Sequence, residues 1–462
     1  MEYLLELEEK QRYRILGVGV IIATLFIMLS SMFLGMYGFI LSTGLIFFIL
    51  ITPLLYGRYK LFLFLWLIVQ PFLSIFEGKI SHGDINPFTF FITGLSFPFA
   101  LILFCKEIGI IIKKIPFIAY LIIFEIILSL NAIRPGTSLI TNLQLIRFHF
   151  IEIFLISITY FYLKNNNSCE TLFNWMNIFV ITNSVVAVFQ RLTGIGVVYI
   201  DGFSRVQGLV GHPNALGFLI NTFLPVTFYM YCNADTKRKK IIWGISLVIS
   251  IFALILSLSK TSYLIFGLLT FLIYLKSPHK LKIKSLLIAF VSIFIFLIID
   301  ASFNLNMIQT ITMRFNDNSS LEWRYTVWNY LLANMNFHSY LFGHGTNSVT
   351  QYLSSVNPGN PATSHNGYLQ LLYEYGITGL VYVIPFFYLF IKSVQNILFK
   401  KNILNNKLDN LIILGITFIL IVETYMDQSL VNRSIMYFAW VLMTVFYMKV
   451  FLKEKTQYDN KE

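Results

Sequence analysis

Four short stretches of the chain carry side chains able to do chemistry. Arg205-Val206-Gln207-Gly208 runs into Gly211-His212-Pro213-Asn214, and Ser257-Leu258-Ser259-Lys260-Thr261-Ser262 follows. Next come Arg324-Tyr325-Thr326-Val327-Trp328 with Phe342-Gly343-His344-Gly345, and then His365-Asn366-Gly367-Tyr368-Leu369 with Glu374-Tyr375-Gly376 and Gly379. A guanidinium is a planar fork suited to two-point contact with phosphate or carboxylate. A histidine is the side chain best placed to take a proton near neutral pH. Arg205, Lys260 and Arg324 are therefore candidate anion ligands, and His365 is the candidate base. No Asp-x-Asp pair occurs, so the usual carboxylate seat for a metal bridging diphosphate is missing, and no Gly-rich nucleotide cradle appears. No cofactor is expected. His212 and His344 sit in Gly-flanked turns and read as local hydrogen-bonding residues.

The elements that must hold these groups lie in a membrane. Of the 462 residues, 57% are hydrophobic and 12% are charged, against about 25% charged in a soluble domain. That is too little charge to solvate a globule. It excludes a soluble enzyme, a disordered chain and an ordinary nucleic-acid-binding domain, so no nucleic acid partner is expected. With about 20 apolar residues per span, the hydropathy pattern gives spans near 15–31, 36–56, 59–76, 86–105, 115–130, 146–163, 172–190, 212–231, 241–258, 262–275, 284–300, 367–391, 409–426 and 433–451. The expected fold is all-α: a polytopic transmembrane helical bundle, residues 1–462, with about 14 spans and a range of 12–14.

Orientation follows from the basic residues. With the N-terminus inside, 25 of the 34 Lys and Arg fall on the inner face and nine outside, while the 22 acids divide evenly. The positive-inside rule then puts both termini in the cytoplasm of a multi-pass protein of the cytoplasmic membrane. The acidic start, MEYLLELEEK, does not resemble a signal peptide. Cys105, Cys169 and Cys232 lie at cytoplasmic ends, where no disulfide is expected. Seven of the nine outer cations are Arg, which the same rule disfavours, so they need a reason.

The outer face also carries the long connections, 191–211 and 301–366. Long loops between spans are often functional. In the second, Ser319-Ser320-Leu321-Glu322 fits a capping box. A helix is expected from there to about Asn336. Leu321, Tyr325, Trp328, Leu332 and Met335 give it an apolar stripe suited to the membrane surface or to the spans. Glu125, Arg147, His149, Glu152, Arg191, Lys260, Asp300, Glu374 and Glu423 fall in the outer halves of spans, where charge marks a site or a buried pair. Arg147 and Glu152, five apart, could form such a pair. Glu374 could orient an acceptor or pack helices, with Asn366 and Arg191 as further supporting residues. Gly376 and Gly379 are expected to let helices approach closely.

Taken in order and on one face, these four stretches resemble the O-antigen ligase/O-antigen polymerase superfamily of bacterial membrane glycosyltransferases, over roughly residues 190–390. The resemblance implies a C-fold-like helical glycosyltransferase moving glycan from an undecaprenyl-diphosphate carrier without a metal. It implies that Arg205, Lys260 and Arg324 hold the diphosphate and that His365 is the family's histidine. Where the family often shows Arg, this chain has Lys260, a cation without the fork. The chemistry agrees with the residues: diphosphate is a good leaving group, fixed cations stabilise its charge, and a base frees the acceptor hydroxyl.

The leading expectation is a polymerase of undecaprenyl-linked repeat units for capsule, O-antigen or exopolysaccharide. Membrane lipid surrounds it, and a flippase and a chain-length regulator are candidate pathway partners. The Ile-, Lys-, Asn-, Phe- and Tyr-rich composition resembles that of AT-rich genomes, many from bacteria lacking lipopolysaccharide, and tilts toward this reading. The first rival is a ligase passing the glycan to lipid A-core or another acceptor. A lipid-linked oligosaccharide flippase or transporter is a rival of another class, but no repeat relates the two halves. A non-catalytic scaffold is the last.

Overall fold

The structure is a computed structural model that describes residues 58–74, 87–132, 139–166, 168–200, 202–276, 279–303, 306–317, 319–356, 364–399, 407–426 and 433–452. Apart from one hairpin, all its regular elements are helical. The first half holds α1 (Tyr59–Phe64), a π turn (Leu65–Val69) and α2 (Gln70–Ser74), then α3 (Pro87–Lys114), α4 (Ile118–Ala132), α5 (Leu139–Asn165) and α6 (Glu170–Thr193). After α6 come β1 (Val198–Ile200) and β2 (Phe203–Arg205), paired antiparallel with Val198 opposite Arg205. Next are α7 (Pro213–Cys232), α8 (Lys237–Leu256), α9 (Lys260–Lys276) and α10 (His279–Ser302).

The expected long loop folds into short helices: α11 (Met307–Asn316), α12 (Ser319–Ala333), α13 (Phe337–Phe342) and α14 (Ser348–Val356). The chain returns through α15 (Gly367–Tyr375), a 3₁₀ stretch (Gly376–Val383) and α16 (Ile384–Phe399). It ends with α17 (Lys407–Met426), α18 (Arg433–Tyr447) and a π turn (Met448–Leu452).

Among the described residues, seven helices are long and apolar enough to cross a membrane: Asn142–Asn165, Glu170–Thr193, Pro213–Cys232, Lys237–Leu256, Gly367–Leu398, Leu408–Met426 and Arg433–Leu452. Tyr59–Phe72, Ile118–Ala132 and Lys260–Leu272 are apolar but shorter. The expected spans at 15–31 and 36–56 lie outside the described residues, so the figure of about 14 rests on hydropathy alone. The helical membrane protein itself stands. Its centre is α18, buried at every position from Ile435 to Tyr447, as a helix apolar on all sides must be.

Local signals start and stop the helices near the site. Pro213 begins α7, where its missing N–H costs nothing, and the His212 ring accepts the Asn214 amide at 3.2 Å. Thr236 caps α8 by accepting from Lys239, and Gly194, at φ 72°, ends α6. The helix after Ser319 stops at Ala333 rather than Asn336, because Asn336 and Ser339 form a capping box that starts α13.

The expected stripe on α12 also needs correction. Val327 and Leu331, with Trp323 and Trp328 beside them, pack onto Val349, Leu353, Leu369 and Tyr373 as a small second core. Leu321, Tyr325 and Leu332 face outward, as do Phe337 and Phe342 of α13. The expected stripe therefore splits: Trp328 and Met335 pack onto the second core, and Leu321, Tyr325 and Leu332 face outward.

The short helices are fastened to α15 at one backbone crossing. His344 N–H donates to the Tyr373 carbonyl and Gly345 N–H to that of Glu374, both at 2.8 Å. A Cβ on Gly343 would lie 2.2 Å from the Glu374 oxygen, and one on Gly376 2.3 Å from the Leu341 carbonyl. At Gly379 it would lie 2.7 Å from the Leu371 oxygen. The close approach expected of Gly376 and Gly379 is observed.

Candidate functional site

Arg205 ends β2, and Gln190 of α6 holds the residues that follow it. The Gln190 oxygen accepts the Gln207 and Gly208 amides at 3.0 and 2.9 Å, and its nitrogen donates to the Gly208 carbonyl. Asn183 accepts the Leu209 amide at 2.9 Å. So held, the Arg205 side chain is 2% exposed. Its Nε donates to the Ser257 carbonyl at 3.0 Å and a terminal nitrogen to Asn214 Oδ1 at 2.8 Å. It thereby ties the hairpin to the start of α7 and to the α8–α9 corner.

That corner turns through Leu258 at φ 53°, a left-handed conformation that few branched residues adopt. Lys260 opens α9 there, half-buried, and its Nζ donates to the Asp317 carbonyl. The Asp317 carboxylate pairs with Arg314 at 2.7 Å, and the Arg314 guanidinium lies 5.5 Å from the Phe203 ring. Arg205, Lys260 and Arg314 thus form one cationic group around the hairpin and the end of α11. Arg314 was not among the expected site residues. Its outer Arg character was its only signal.

His365 belongs to a second group, built by α12. Trp328 Nε1 donates to the Ser364 carbonyl at 2.8 Å, and the Trp323 ring meets His365 edge-on with centroids 5.3 Å apart. The half-buried His365 sits at φ 45°, with its neighbour Asn366 capping α15 by accepting the Leu369 amide at 3.0 Å. Arg324, next to Trp323 on α12, donates to the Met426 carbonyl at 2.6 Å. One helix therefore carries Arg324 and abuts His365. The segment from Arg314 to Arg324, through Asp317, runs from the first group to the second.

The supporting residues fall into anchoring positions. The Glu374 carboxylate is buried and accepts from the Asn347 and Val349 backbone and from Gln370. It faces the segment leading into α14, which fits the packing role, and it also lines the small cavity beside His149 and Tyr382. Arg191 lies on the last turn of α6 under the charge of Asp300. Glu152 has His149 Nδ1 at 2.9 Å and accepts from Tyr382 Oη at 2.8 Å, so the buried pair on α5 spans three residues, not the five from Arg147. Sequence reasoning missed Tyr382, 230 residues away. Beside this pair lies a cavity of about 90 Å³, bordered by His149, Gln370, Tyr382 and Arg433.

Residues 245–384 match the family model of O-antigen ligase. This stretch is similar to the O-antigen ligases. It contains Lys260, Arg314, Arg324, His365, Asn366, Glu374 and the Gly343–Gly376 crossing, and it lies inside the 190–390 region that resembled the superfamily. Arg191 and Arg205 precede it. No curated protein matches the chain. A match to this family within a helical membrane protein supports a membrane glycosyltransferase of the ligase/polymerase type.

Proposed function

We propose that the chain polymerises undecaprenyl-diphosphate-linked repeat units into surface polysaccharide on the outer face of the cytoplasmic membrane. The observation that carries this reading is α12, which sets Arg324 one residue from the indole that abuts His365, within the stretch similar to the O-antigen ligases. Lys260 and Arg324, both partly exposed, hold the diphosphate, and the buried Arg205 adds positive potential behind them. His365 takes the proton of the acceptor hydroxyl. Its oxygen bonds to the anomeric carbon as the bond from that carbon to phosphate breaks, and the electron pair leaves on undecaprenyl diphosphate. The edge-on contact with Trp323 limits the positions open to the His365 ring, which favours that proton transfer. No metal is needed for this division of labour.

The description of the matched family favours a second reading, in which the acceptor is lipid A-core or another glycolipid. The chemistry at His365 is the same, and only the acceptor differs. A clean deletion separates the two. Surface glycan reduced to single repeat units supports the polymerase; full-length polymer left on its carrier refutes it and supports the ligase. An unchanged glycan in that deletion refutes both.

A further inference from the structure

The site described above lies where α7 begins. Its other end, twenty residues and about 30 Å away, uses a different set of residues. There, a groove of about 570 Å³ opens between α7 and α8, lined by Tyr231 on one side and by Lys237, Lys240, Gly244, Ile245 and Val248 on the other. The α8 residues recur every three to four positions and so share one face. From Lys237 to Val248 that face is about 16 Å long, close to one leaflet of a hydrocarbon core about 30 Å thick.

The two ends of the groove differ in chemistry. At the mouth, the Lys240 ammonium lies 5.7 Å from the Tyr231 ring centroid, with Lys237 one turn before it. Lys239, on another face, is bonded to Glu170 at 2.6 Å. Below the lysines the lining is apolar, and Ile245 is 54% exposed. The floor exists because residue 244 is glycine: a Cβ there would come 3.3 Å from the Tyr231 ring. Two cations above an apolar channel one leaflet deep complement an anion that carries an acyl chain.

We propose that this groove binds an anionic phospholipid, its phosphate on Lys237 and Lys240 and one acyl chain along Gly244, Ile245 and Val248. The proposal rests on the chain being a membrane protein and is independent of which glycan transfer it performs.

The test is native mass spectrometry of the full-length protein in neutral detergent with added dioleoylphosphatidylglycerol, dioleoylphosphatidylcholine or undecaprenyl phosphate. Phosphatidylglycerol is expected to stay bound, with about a fivefold loss of affinity for each of Lys237→Gln and Lys240→Gln. Gly244→Leu, which fills the channel with both cations in place, should also lose the lipid. Lys239→Gln removes the same charge from the same turn and should keep it. Equal binding of phosphatidylcholine overturns the headgroup selection, and equal loss in Lys239→Gln overturns the groove. Binding of undecaprenyl phosphate that is tighter than that of phosphatidylglycerol and is lost in Gly244→Leu overturns the assigned occupant.

Discussion

Replacing Gly376 with alanine should release the outer helices from α15. Gly343 and Gly376 sit at φ 69°, ψ −176° and φ 67°, ψ −161°, a region that costs other residues about 1–3 kcal/mol. The atoms a Cβ would strike, at 2.2–2.3 Å, are backbone, so no side chain can swing aside. Relief requires the strands of the crossing to part. That surrenders the hydrogen bonds from His344 and Gly345, worth about 1 kcal/mol each. Together these terms give about 3–5 kcal/mol against the docked state for either Gly343→Ala or Gly376→Ala. When opening is fast, proteolysis follows the open population, so trypsin cleavage at Arg314 or Arg324 should rise about 100-fold or more. Polymer should shorten in parallel while the protein still inserts. Because both glycines serve one crossing, the double variant should cost little more than the worse single one. Wild-type cleavage and chain length in either single variant, or full additivity in the double, would refute this reasoning.

His365→Ala should lower transfer by about 10²–10⁴-fold while donor binding persists, read as chain length from purified protein and a lipid-linked repeat unit. His365→Gln should be nearly as inactive; a distinctly active Gln variant means that His365 orients the acceptor and does not take its proton. Arg324→Lys should lose about tenfold or more, since a point charge cannot hold both Met426 and a diphosphate oxygen as a fork does. Full activity there removes the bidentate contact. EDTA should leave the rate unchanged, and a loss restored by magnesium would sink the metal-free chemistry. In a cysteine-free background, Thr350→Cys should react with an impermeant reagent in intact cells and Lys240→Cys should not, and the reverse pattern inverts the topology.

Much of this arrangement follows from short-range signals, and those are the parts that sequence reasoning reached. Gly376 permits a close approach and a helix opens at Ser319, each for reasons local to the chain; the cap formed by Asn366 was not among the expectations. The α12 surface shows the limit. Leu321, Tyr325 and Leu332 recur at helical spacing, but so do Trp323, Val327 and Leu331. Which stripe turns inward depends on Leu353 and Leu369, which periodicity within α12 does not reveal. Arg205 is similar: its sequence neighbourhood gives a cation, and its burial is set by the Ser257 carbonyl 52 residues on. The partner of Glu152 lies 230 residues away, beyond any spacing rule.

The outward stripe of Leu321, Tyr325 and Leu332, extended by Phe337 and Phe342, sets the dimension in which the enzyme meets its substrate. An apolar face of this kind is suited to the headgroup layer, where it would hold His365 at a constant height above the bilayer. A lipid-anchored donor then arrives by lateral diffusion, and the concentration that governs its encounter is its mole fraction among the surrounding lipids. Added detergent or inert lipid should slow the reaction at constant molarity of donor and enzyme. A larger volume of buffer should not.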